Sequence, residues 1–155
     1  MSYEKVKAYL DSRGYGDRAR EFEVSSATVE LAAQALGCEG ARIAKTLSFK
    51  TPDRVLLIVA AGDAKVDNAK YKAMFHTKAK MLTPDEAVEL VGHAVGGVCP
   101  FAVNDGVEVY LDGSLRRFEI VYPACGSANS AVEVTPEELQ LLSGGQWADL
   151  CKLPE

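Results

Sequence analysis

The sequence predicts a mixed α/β (α+β) fold, a single domain over residues 1–155 with a mostly antiparallel central sheet flanked by helices. Three observations carry this expectation. Short apolar runs at strand spacing recur along the chain, and the first two, residues 43–50 and 54–60, are one tight turn apart. Helical segments interrupt the strands, and two of them open with the capping-box pattern Thr-Pro-x-Glu, at Thr83 and Thr135. The chain has 155 residues, 48% hydrophobic and 25% charged, proportions that suit one packed core needing neither metal nor disulfide.

Residues 3–13 place Val6 and Leu10 at helical spacing and stop at Gly14. A second helix starts at Ser26 or Thr28, runs through Leu31, Ala32 and Leu36, and ends on Gly37. The strands 43–50 and 54–60 flank the turn Thr51-Pro52-Asp53, and Val55-Leu56-Leu57-Ile58-Val59 is apolar on both faces, as a central strand requires. Asp67 is an N-cap for a helix through Tyr71 and Met74, and residues 78–82 read as a short strand. The Thr83 capping box leads into Val88, Leu90 and Val91, and a loop follows at Gly96-Gly97-Val98-Cys99-Pro100. Strands are expected at 107–111, 118–122 and 131–134, and the Thr135 box opens a last helix ending near Leu142.

Several function classes are set aside at this level. No apolar stretch approaches the ~18 residues that cross a bilayer, and Met1-Ser2-Tyr3-Glu4-Lys5 has no signal-peptide core. Cys38, Cys99, Cys125 and Cys151 form no Cys-x-x-Cys pair and stand in no zinc-ligand spacing with His76 or His93. They read as reduced thiols of a cytoplasmic protein, with no metal or cofactor expected. The net charge is −5, yet residues 42–80 hold nine basic and three acidic side chains, so that segment alone is +6. Either these lysines form a solvated face, or they attract a polyanion locally despite the acidic whole.

Three places could carry chemistry. In strand 43–50, alternation puts Lys45 on one face with Ile43, Leu47 and Phe49, while Ala44, Thr46, Ser48 and Lys50 face solvent. An ammonium on an apolar face needs an acidic partner, a route to water, or an anionic ligand. Snorkelling and a pocket-lining cation both satisfy the pattern. The Gly96-Gly97 loop is either a tight structural turn or a cradle of backbone N–H groups for a carbonyl or oxyanion. Cys99 with His93 as base would make a thiol enzyme, although buried packing is the commoner fate of cysteine. Ser127, Asn129 and Ser130 form a small polar cluster after Gly126.

Together, Ile43-Ala44-Lys45-Thr46-Leu47, Val59-Ala60-Ala61-Gly62-Asp63, residues 95–101 and Ala124-Cys125-Gly126-Ser127-Ala128-Asn129 resemble the YbaK/EbsC family over about Val24 to Trp147. The resemblance implies a trans-editing aminoacyl-tRNA deacylase, related to the insertion domain of bacterial prolyl-tRNA synthetases, that needs no cofactor. It implies that Lys45 and Gly97 act in catalysis and that Thr46, Gly96, Pro100, Gly126 and Asn129 bind substrate. Mischarged tRNA is the implied substrate, tRNA-Pro carrying a small amino acid, with prolyl-tRNA synthetase as a candidate partner. Many members of the family carry glycine where this chain has Ala102 and a charge around Ser127 to Ala131, where this chain is small and neutral. A non-catalytic module of the same fold, binding aminoacyl-tRNA or a synthetase, is the competing expectation.

Overall fold

The computed structural model describes residues 2–154. Its centre is a five-stranded sheet in which β2 (Ile43–Lys50) and β3 (Val55–Ala61) form the expected hairpin, closed by a hydrogen bond from Thr51 N to Arg54 O of 2.9 Å. Leu56 to Ala61 are all fully buried, as the unbroken apolar run of β3 demands. β5 (Glu108–Asp112) lies parallel to β3, β6 (Tyr122–Pro123) parallel to β2, and β8 (Gln146–Ala148) parallel to β5. The strand order is β6-β2-β3-β5-β8. The mixed class is as expected, but this sheet is mixed rather than mostly antiparallel. A short turn joins only β2 to β3; the other neighbours are joined by long crossovers, which parallel pairing requires.

Two small antiparallel ribbons complete the sheet structure. β1 (Ala19–Glu21) pairs with β7 (Ser130–Val132), and β4 (Lys65–Val66) pairs with β9 (Cys151–Lys152). The expected strand at 78–82 is reduced to a single bridge between Met81 and Phe49, and the strand at 118–122 to Tyr122–Pro123 with a bridge from Val121 to Val134. A 3-10 turn over Gly113–Arg117 occupies the chain just before that strand.

The helices obey their local signals. α1 (Ser2–Ser12) buries Val6 and Leu10. α2 (Val29–Leu36) is capped by the Thr28 hydroxyl and ends on left-handed Gly37, φ 69°. α3 (Asn68–Phe75) is capped by Asp67, and it drives Tyr71 and Phe75 into a stack with Phe49 and Tyr110, with centroids 4.7–5.4 Å apart. Both capping boxes form, at Thr83 for α4 (Pro84–Glu86) and at Thr135 for α5 (Pro136–Ser143). Beyond α4 the winding relaxes to a π-helix over Ala87–Val91, which ends on Gly92 at φ 100° and delivers the chain to the glycine loop. Among the described residues, no helix is long and apolar enough to cross a membrane.

Candidate active site

A cavity of about 320 Å³ opens beside β2, walled by the entry to α2, by Met81 and Leu82, by the 95–98 loop and by Ala124. Lys45, Thr46 and Gly96 line it. Ala44 and Ser48 line it as well, and they are 2% and 8% exposed, which overturns the expectation that their face of β2 meets solvent. The cavity is bordered by five consecutive residues of β2, Ala44 to Ser48, from both of its faces. Small side chains stand at Ala44, Thr46 and Ser48 because α2 and the glycine loop come down over them, and Thr46 Oγ1 is left buried without a hydrogen-bond partner. Within this wall Lys45 is the charged residue.

Lys45 is half-buried. Its Nζ donates one long hydrogen bond, 3.4 Å, to the carbonyl of Gly62, and it forms no ion pair among the described residues. Burial lowers its pKa from the ordinary lysine value; Lys65 pushes the same way, while Cys151, Asp63 and Glu30 oppose the drop. Among the described residues no carboxylate pairs directly with this ammonium, although Asp63 and Glu30 act on it from a distance, so it is open to an anion.

Gly96 and Gly97 do different things. Gly96 adopts φ 94°, a region that disfavours any Cβ. Gly97 is pressed onto a second backbone segment: a Cβ there would stand 2.6 Å from Ser127 N and 2.7 Å from the carbonyl carbon of Gly126. The Gly97 N–H itself donates to Ala94 O at 3.0 Å, which closes the turn and uses up that donor. Gly96 and Val98 both line the cavity, and their amides make no hydrogen bond among the described residues.

The remaining expected residues stand behind the wall. Gly126, at φ 91°, is the surface on which Gly97 packs, and Pro100 is buried. The Asn129 side chain donates to Phe22 O at 2.9 Å, tying the chain before α2 to the 126–130 segment. Ser26, Val29, Met81, Val95 and Ala124 belong to the cavity and were not among the residues expected from sequence. Val95 and Ala124 open two of the segments that carry the family resemblance, whereas Ser26, Val29 and Met81 stand outside them and no local pattern points to them.

Cys99 and His93 do meet, with Sγ 3.6 Å from Nε2, but both are fully buried and neither lines the cavity. Nε2 lies 2.8 Å from Phe101 O, so it carries the proton and donates; a nitrogen committed in this way is no base for the thiol. Burial pushes the Cys99 thiol up to about 12. The pair is a packing element. Ala102, next to it, holds φ 51°, which explains why a glycine suits that position. Among the described residues no group of three His, Cys, Asp or Glu could hold a metal ion.

Residues 23–142 match a family described as an aminoacyl-tRNA editing domain. The chain is 52% identical over 154 residues to YwhH of Bacillus subtilis (strain 168), an uncharacterised protein, covering 98% of each. It is 28% identical over 127 residues to the proline–tRNA ligase of Geobacillus sp. (strain WCH70), covering 79% of this chain but only 22% of the ligase. A crystal structure provisionally described as a trans-editing enzyme for prolyl tRNA synthetase superposes with a TM-score of 0.89 at 34% identity, covering 97% of both chains.

Proposed function

This chain belongs to the aminoacyl-tRNA editing domain family, and from that premise we propose that it is a free-standing deacylase that hydrolyses the ester of mischarged aminoacyl-tRNA, with tRNA-Pro bearing a small amino acid as the substrate. The observation that carries the reading is a coincidence on one wall. Lys45, half-buried and without an ion pair among the described residues, lines the same 320 Å³ cavity as Gly96 and Val98, whose amides make no hydrogen bond among the described residues.

An activated ester needs orientation and stabilisation of its oxyanion more than it needs a strong nucleophile. Lys45 holds an anionic part of the substrate, a phosphate or the developing oxyanion, at the low-dielectric end of the cavity. The Gly96 and Val98 amides face the carbonyl oxygen as charge builds on it. Gly97, Gly126, Pro100 and Asn129 position that loop rather than touch the ester, and Thr46 lines the cavity. Water, or the neighbouring ribose hydroxyl, attacks. Ala27, Ala44, Ser48 and Ala124 keep the amino-acid end small and uncharged. Such a substrate and a synthetase partner place the protein in the cytoplasm.

The test is a panel of tRNA-Pro charged with alanine, serine, cysteine, threonine or proline, each incubated with the protein and followed for loss of the amino acid. The reading expects at least one small non-cognate ester to be cleared and prolyl-tRNA to survive. Saturable binding of the panel with every ester intact would replace the deacylase by the non-catalytic module.

A further inference from the structure

The β4–β9 ribbon sets two lysines directly against each other. Lys65 and Lys152 are Cα partners in antiparallel register, both are exposed, and neither forms an ion pair among the described residues. Like charges facing each other across a strand pair are unfavourable unless an anion sits between them. The pair flanks a groove of about 310 Å³ that Asp63, Leu153 and Pro154 complete.

Among the described residues, three carboxylates near this edge already have partners of their own. Asp63 takes a two-pronged contact from Arg117 at 3.1 and 2.5 Å, Asp149 pairs with Lys70 at 2.8 Å, and Asp67 accepts the Ala69 and Lys70 amides as the cap of α3. Nor is the ribbon a loose tail. Buried Asp112 accepts the amides of Leu150 and Cys151 at 2.8 and 3.0 Å, and Asp67 N–H donates to Leu150 O at 2.8 Å. The groove also begins beside the site, because the residue before Asp63 is Gly62, whose carbonyl receives Lys45 Nζ. Lys45 stands close enough to feel the charges of both Asp63 and Lys65.

We propose that Lys65 and Lys152 straddle one backbone phosphate of the tRNA acceptor end, and so set the direction in which the nucleic acid leaves the Lys45 cavity. This inference rests on the deacylase reading for the identity of the polyanion. It also narrows the role of the basic 42–80 segment. Lys50 is bound to Glu86, Arg54 to Glu108 and Lys70 to Asp149, whereas Lys152, which lies outside residues 23–142, supplies half of the site.

The experiment measures binding of uncharged tRNA to the intact protein across a salt series, for the parent, for Lys65→Gln/Lys152→Gln, and for Lys72→Gln/Lys78→Gln, with a thermal melt of each. Removing one phosphate contact should flatten the log–log salt slope by about 0.7–0.9 in the first double variant, with weaker binding and no lower melting temperature. The second double variant, on the separate groove beside α3, should keep the parent slope. A parent slope in Lys65→Gln/Lys152→Gln overturns the proposal, and so does a pair that binds inorganic phosphate while tRNA affinity stays at the parent value. Ester loss is scored separately. A parent that clears no ester while the slope still changes leaves this site standing and removes the deacylase, whereas ester loss with an unmoved slope does the reverse.

Discussion

Gly97→Ala is a perturbation whose cost can be worked from geometry. The added methyl would stand 2.6 Å from Ser127 N, 2.7 Å from Ser127 Cα and 2.7 Å from the Gly126 carbonyl carbon. All three are backbone atoms, so no side chain can rotate away. Contact distances between such atoms are about 3.5–4.0 Å, so the 95–98 loop and the 126–127 segment must part by roughly 1 Å. Overpacking of this kind costs about 1–3 kcal/mol, which lowers the melting temperature of a chain this size by roughly 2–12 °C. The same displacement moves the Gly96 and Val98 amides, and a shift of about 1 Å at a reacting centre can cost on the order of 100-fold in rate. Thermal melts and ester hydrolysis on the same samples read both effects. Gly113→Ala is the control, because a Cβ there meets nothing within 4 Å and the residue has no positive φ. A Gly97→Ala protein that melts and turns over like the parent would refute the close approach and the role of the loop together.

Cys99→Ser should keep its ester hydrolysis, because the thiol is sealed behind the wall and its partner nitrogen is committed to Phe101 O; loss of turnover in a folded Cys99→Ser protein would restore the thiol mechanism. Ala102→Gly should stabilise by up to about 1 kcal/mol, since it releases a left-handed alanine at φ 51°, and a lower melting temperature would contradict this. His93 should make the fold acid-sensitive. Burial depresses its folded pKa below the ordinary 6.5, so above that pH both states hold a neutral ring. As pH falls through 6.5 toward the folded value, the unfolded chain takes a proton that the fold refuses, and stability drops. His93→Gln should flatten that part of a melting-temperature profile between about pH 7 and pH 5, and an unchanged profile would assign the acid loss elsewhere.

The parts of this fold that were legible in the sequence are those made by near neighbours. Thr28, Asp67, Thr83 and Thr135 each cap the helix that follows, because a side-chain oxygen need only reach an amide two or three residues on. The β2–β3 hairpin was legible for the same reason. β1, β4, β8 and β9 were not: they are two or three residues long and exist only because a distant segment offers a partner. The site divides along the same line. Lys45, Thr46 and Gly96 lie in local patterns, but the solvent face assigned to Ala44, Thr46 and Ser48 borders the cavity, since periodicity says which residues share a face and not what covers it. The glycine pair leaves a tight turn and an N–H cradle both open, and the Gly97 amide is spent on the turn, donating to Ala94 O. The basic segment likewise looked uniform until Glu86, Glu108 and Asp149 were seen to take three of its cations.

On the deacylase reading, Lys45 stands without an ion pair in the cavity for the substrate and not for the fold. Parent and Lys45→Met are compared side by side, by thermal melt and by single-turnover loss of amino acid from the mischarged tRNA that the parent clears. Lys45→Met should melt no lower than the parent, because the half-buried ammonium is desolvated with no ion pair in return. Turnover should nevertheless fall by about 30- to 1000-fold, the effect of losing roughly 2–4 kcal/mol of charged contact in the transition state. A Lys45→Met protein that hydrolyses the same ester near the parental rate would contradict the claim.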